Sequence, residues 1–203
     1  MKKLITVATL GLLLGLCATA QAAGDAAAGQ QKAATCAGCH GMDGNSMNPE
    51  WPKLAGQHVK YVVKQLQNFK NMARVNAIMN GMAAGLSQQD MEDIAAYYEN
   101  QQLQGGQANP ALVEPGEQVF RGGNLQTGLA ACAGCHGPTG TGNPAAGFPS
   151  LAGQHAQYIE TQLRNFRAME RANDPGQMMR NVASRMTDQE IQAVASYIQG
   201  LQP

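Results

Sequence analysis

Apolar residues recur along this chain at helical spacing, and no alternating strand pattern of useful length appears. Val59, Val62, Val63, Leu66 and Phe69 fall at i, i+3, i+4, i+7 and i+10, one face of a helix. Ile159, Leu163 and Phe166 repeat that stripe a hundred residues on. A later stripe, Met91, Ile94, Ala95 and Tyr98, is echoed by Ile191, Val194, Ala195 and Ile198. Thr187-x-x-Glu190 reads as a capping box that opens the last helix, and Ser87-x-x-Asp90 is its shorter counterpart. These stripes are core faces, and they predict an all-α protein.

The echoes belong to a duplication that spans the chain. Cys36-Ala-Gly-Cys-His40 matches Cys132-Ala-Gly-Cys-His136, and Pro52-Lys-Leu-Ala-Gly-Gln-His58 matches Pro149-Ser-Leu-Ala-Gly-Gln-His155. Tyr61 to Phe69 matches Tyr158 to Phe166, and Ser87 to Tyr97 matches Thr187 to Tyr197, with the offset drifting only from 96 to 100. Two like domains follow, at 23–103 and 115–203. The Gln-, Gly-, Asn- and Pro-rich stretch between them supplies a linker at 104–114.

Residues 1–22 lie outside the repeat and read as a cleavable export signal. Lys2 and Lys3 precede the apolar run Leu4 to Leu16, and Ala20-Gln21-Ala22 gives small residues at the cleavage site. The run is too short for a comfortable membrane span, and no second one follows, so the mature chain is expected to have no membrane span. Cys17 sits inside this segment, after a bulky Leu16 that suits a lipoprotein cleavage site poorly.

The repeated pentapeptide carries the chemistry. Cys-x-x-Cys-His is the attachment signature of a c-type haem: two thioethers form to the vinyl groups and the adjacent histidine is placed on iron. A zinc ribbon would pair its two knuckles within about 15–20 residues, whereas Cys39 and Cys132 lie 93 apart. A thioredoxin-type pair needs a βαβ context. A disulfide closing a two-residue loop removes little entropy and leaves the histidine unexplained. Cys36, Cys39 and His40, with Cys132, Cys135 and His136, are therefore expected to hold two covalently attached haem c groups.

Composition agrees. The five cysteines comprise Cys17 and the four in the two motifs, leaving no disulfide framework for an exported protein. Without Lys2 and Lys3 the 14 basic residues fall to 12 against 14 acidic, a formal charge of −2. Nothing there suggests a nucleic-acid partner, which would call for a basic patch.

An iron that only carries electrons has both axial positions filled, the second by Met or His. Aligning the halves on the Ser87/Thr187 helix start pairs Met79 with Met179, the one pair that is methionine in both halves at this offset of 100. Both sit in Gly/Asn-containing segments expected to be loops, and Met178 stays open as a neighbour. At an offset of 97, Met72 pairs with Met169, where they continue the apolar stripe and read as core. His58 and His155 are the bis-histidine alternative, with a plain helix-start role favoured. Pro52 and Pro149 are either turn prolines or acceptors for the Nδ1–H of the ligating histidines.

With both Cys-x-x-Cys-His motifs, both Pro-x-Leu-Ala-Gly-Gln segments, Met79-Asn-Gly-Met, Met179-Arg-Asn-Val and the Leu86-to-Tyr97 segment, the mature chain resembles the cytochrome c4 family of dihaem periplasmic electron carriers. The resemblance implies two tandem class I cytochrome c domains packed pseudo-symmetrically. It implies iron ligation by His40 with Met79 and by His136 with Met179, and carbonyl acceptor roles for Pro52 and Pro149. It also implies a shuttle that takes electrons from a membrane quinol-oxidising complex and delivers them to a terminal oxidase, in the periplasm, free or at the membrane surface, and not an enzyme. A redox subunit docked on one dehydrogenase, and a dihaem peroxidase, are the competing readings. The second lacks an identifiable distal acid–base constellation.

Overall fold

A computed structural model describes residues 24–202; the expected export signal and Cys17 lie outside them. Among the described residues there is no strand, only two isolated bridges, Asn124 to Leu129 and Asn143 to Phe148. The all-α expectation is met by five helices built twice: α1 (Ala26–Lys32), α2 (Ala37–His40), α3 (Val59–Lys70), α4 (Ala77–Ala84) and α5 (Gln88–Glu99), then α6 (Pro110–Gly122), α7 (Ala133–His136), α8 (Ala156–Arg167), α9 (Met178–Ala183) and α10 (Asp188–Gly200).

In each half the last helix is the hub. It packs against the first and the third helix, and the third packs against the fourth. The predicted stripes form the cores. Met91, Ile94, Ala95 and Tyr98 are buried with Val62 and Leu66, and Ile191, Val194, Ala195 and Ile198 with Ile159 and Leu163. Both capping boxes form, Ser87 with Asp90 and Thr187 with Glu190.

The first and last helices of each half cross on a glycine. A Cβ on Gly29 would lie 2.0 Å from the Asp93 carbonyl oxygen, and one on Gly116 would lie 2.3 Å from that of Ala193. A methyl group has no room at either crossing. In the first half Lys32 adds ion pairs to Asp90 and Asp93 at 2.7 and 2.6 Å.

Two expectations are corrected. The linker predicted at 104–114 is irregular only through 109. Pro110 to Glu114 open α6, because Asn109 caps it and proline suits the first helical position. Met72 and Met169 are not core: they are 58% and 70% exposed, each at φ +64°. The helices end at Lys70 and Arg167, so the chain turns left-handed before the apolar stripe can continue.

The halves face each other through matching residues. Gln57 donates to the Ser150 carbonyl at 2.9 Å and accepts from the Ser150 amide at 3.0 Å. Gln154 does the same with Lys53, at 2.9 and 2.8 Å. These equivalent contacts make the packing pseudo-two-fold. His58 and His155 hold the N-cap positions of α3 and α8 without capping them. Each instead donates Nε2–H across the interface, His58 to the Thr141 carbonyl and His155 to that of Ser46, both at 2.8 Å.

Candidate functional site

The two pentapeptides fold alike. Each forms a single helical turn that starts from its first cysteine and ends on its histidine. Gly41 at φ +82° and Gly137 at φ +79° then turn the chain away, a conformation few other residues adopt. His40 and His136 are buried. His40 Nδ1 lies 2.8 Å from the Pro52 carbonyl oxygen, and His136 Nδ1 lies 3.0 Å from that of Pro149. A carbonyl only accepts, so Nδ1 carries the proton and the Nε2 lone pair is left for a metal. Burial lowers the pKa of both rings and favours this neutral form.

Burial also raises the Cys36 thiol and pushes Cys132 up to about 11. Among the described residues all four motif cysteines are free. Among the described residues no group of three or more His, Cys, Asp or Glu side chains could hold a metal ion by itself, so a zinc site has no donor set here.

A cleft of ≈ 360 Å³ opens over the first motif. Cys36, Cys39, His40 and Met79 all line it, with Phe69 and Tyr98 among its walls. Met79 stands on α4, not on a loop as expected, because Asn76 caps that helix by accepting the Met79 amide at 3.0 Å. Asn80 ties the segment down by accepting from the Asn76 amide at 2.7 Å and donating to the carbonyls of Phe69 and Arg74. Met79 is half-buried against the first core, whereas Met82 is exposed.

In the second half Met179 is again helical, on α9, and packs with Cys132 and Ala133 against that core. Its neighbour Met178 is exposed and faces a different groove. In both halves one half-buried methionine, Met79 or Met179, packs against the core that carries the motif, beside a fully buried one, Met91 or Met186.

Sequence reasoning missed the interface wall of the cleft. Arg74 donates to Gln65 and, across the interface, to Tyr158 and Gln162 at 2.9, 3.0 and 2.8 Å. Arg171 donates to Gln162 at 2.9 Å and across to Tyr61 at 3.1 Å. Both line the cleft, and among the described residues neither forms an ion pair with a carboxylate. The signal was present: Tyr61, Gln65 and Arg74 recur at an offset of 97 as Tyr158, Gln162 and Arg171. The Tyr98 hydroxyl, also in the cleft wall, is buried and has no hydrogen-bond partner among the described residues.

The family model for cytochrome c matches residues 26–102 and again 113–202. Cytochrome c4 of Pseudomonas aeruginosa is 50% identical over 202 residues, covering 99% of this chain and 100% of that protein. A thiosulfate dehydrogenase electron acceptor of Thiomonas intermedia is 39% identical over 203 residues, covering 98% of this chain and 90% of its own length. The crystal structure of reduced recombinant cytochrome c4 from Pseudomonas stutzeri superposes with a TM-score of 0.86 at 50% identity, covering 89% of this chain and 100% of that one.

Proposed function

The chain belongs to the cytochrome c4 family, a dihaem electron carrier with covalently bound haem c, and on that premise we propose its ligands, partners and location. Cys36 and Cys39 hold the first haem and Cys132 and Cys135 the second. His40 with Met79, and His136 with Met179, would hold the two irons. The observation that carries this is the constellation found twice: a buried, neutral histidine with Nδ1 engaged, and one half-buried methionine on the same core.

The residues present suit such a group. The unpartnered Tyr98 hydroxyl and the two guanidiniums lacking carboxylates give the cleft hydrogen-bonding capacity and positive charge for a bulky, anionic, largely apolar occupant.

The bound haem supplies a one-electron couple. The chain supplies everything that tunes it. The Pro52 and Pro149 carbonyls fix the histidine tautomer and ring orientation. Thioether ligation favours ferrous iron and raises the potential relative to bis-histidine ligation. Iron held by a methionine as well as a histidine would have no position left for substrate, which suits electron transfer without bond chemistry. The reciprocal Gln57/Ser150 and Gln154/Lys53 contacts hold the halves in fixed relation, so that electrons pass between them without domain rearrangement.

We place the protein in the periplasm, carrying electrons from a membrane quinol-oxidising complex to a terminal oxidase. The export signal expected at residues 1–22 supports the location. Among the described residues no helix is long and apolar enough to cross a membrane. A second reading, an acceptor serving one dehydrogenase, is favoured by the relative described as the electron acceptor of thiosulfate dehydrogenase. Stopped-flow mixing separates them. The shuttle reading expects rapid reduction by the quinol-oxidising complex and rapid oxidation by the oxidase. Turnover only with a purified dehydrogenase would replace it by the second.

A further inference from the structure

The two methionine-bearing helices are anchored by different chemistry. In the first half the anchor is neutral: Asn76 caps α4 and Asn80 clips it to the preceding chain. In the second half a three-residue insertion, Asp174-Pro175-Gly176, follows Asn173, the residue equivalent to Asn76, and separates it from Gln177 and the helix. Gln177 holds the N-cap position at φ +59°, in the left-handed region, and its side chain makes no cap. Gly176 is left-handed too, at φ +59°. The helix that follows has only six residues, short enough to be marginal by itself.

What holds it is Asp174. This carboxylate is buried, its side chain only 4% exposed. One oxygen accepts the backbone N–H of Arg180 at 3.0 Å, the place a capping side chain would occupy. The other accepts Nε–H of the same arginine at 2.8 Å. Arg180 follows Met179 directly, so one buried carboxylate grips both the backbone and the side chain of the next residue. The first half has no such grip: Asn80 stands where Arg180 does.

We propose that the Asp174–Arg180 pair is the positioning device that keeps Met179 on the second iron, and that the halves therefore hold their methionines independently and by different means. This rests on the reading of Met179 as a ligand. A buried charge pair is directional, so it resists slippage of a helix whose own N-cap residue, Gln177, makes no side-chain bond.

The test uses the oxidised holoprotein, where the long-wavelength sulfur-to-iron band counts iron–methionine bonds. In Asp174→Ala, warming should remove half of the band while far-UV circular dichroism is still native; the other half should persist to global unfolding. Arg180→Gln, which keeps the carboxylate–backbone bond, should lose the same half at a higher temperature than Asp174→Ala. In a Met79→Leu background, where Met179 is the one remaining sulfur ligand, Asp174→Ala should cost the whole band. If the band of Asp174→Ala keeps full amplitude to global unfolding, or falls only together with the circular dichroism, the pair is merely structural and the proposal fails. Met179→Leu tests the underlying reading separately: a full band there removes the ligand assignment, whatever Asp174 does.

Discussion

Replacing Gly116 by alanine should destabilise the second half, although alanine is the better helix former. The ideal Cβ lands 2.3 Å from the Ala193 carbonyl oxygen and 2.6 Å from the Tyr197 Cβ, where 3.4–4 Å is ordinary contact. Backbone and Cβ atoms cannot swing aside, so α6 must back away from α10 by about 1 Å. Overpacking of this kind costs about 1–3 kcal/mol, and the propensity gain of Ala over Gly returns about 1 kcal/mol. The net loss of up to about 2 kcal/mol corresponds to a fall in Tm of up to about 16 °C for a domain of this size. Gly122→Ala is the control, on the same helix with nothing within 4 Å of the added Cβ; its Tm should stay level or rise slightly. Thermal melts of the holoprotein by far-UV circular dichroism give both numbers. A Gly116→Ala Tm equal to or above that of Gly122→Ala would refute the close-crossing reasoning. Gly29→Ala should behave as Gly116→Ala does, since its Cβ meets the Asp93 carbonyl oxygen at 2.0 Å.

Other outcomes follow from the same geometry. Hydrogen bonds from Lys32 hold the Asp90 and Asp93 carboxyls below the ordinary carboxylate range. The unfolded chain therefore takes up protons first: this stabilisation is full above about pH 4 and is lost as pH falls toward the depressed native values. Lys32→Met should flatten that acid limb in pH-dependent denaturant titrations. Met79→Leu and Met179→Leu should each remove half of the sulfur-to-iron band and lower the potential of one haem, read by spectroelectrochemistry. Gln57→Leu strips both Ser150 backbone groups of partners bonded at 2.9 and 3.0 Å, a loss of about 1–3 kcal/mol. Calorimetry should then show the unfolding of the two halves separating.

The sequence disclosed what periodicity and repetition can carry. The stripes around Leu66, Ile94, Leu163 and Val194 became cores, and both capping boxes formed. Helices α1 and α6 were not anticipated. Ala26 to Lys32 is mostly small and polar, and its packing depends on a glycine fitting a distant backbone, which has no local periodic signal. Met72 and Met169 were misjudged because a stripe says nothing of where a helix stops; the left-handed turn after α3 and α8 decided it. Met79 and Met179 were expected in loops because Gly81, Asn76 and Asn80 read as breakers. Asn76 in fact acts as a cap and Asn80 as a clip. The crossed arginines stayed hidden because their partners lie in the other half, some 84–110 residues away.

The central claim is two haems per chain, each with histidine and methionine on iron. The most direct test is the optical spectrum of the purified oxidised protein together with haem stoichiometry by pyridine haemochrome. The account predicts two haems per chain and a sulfur-to-iron band of two-site amplitude in a low-spin spectrum. A single haem, a band absent or at half amplitude, or a high-spin signature would contradict it.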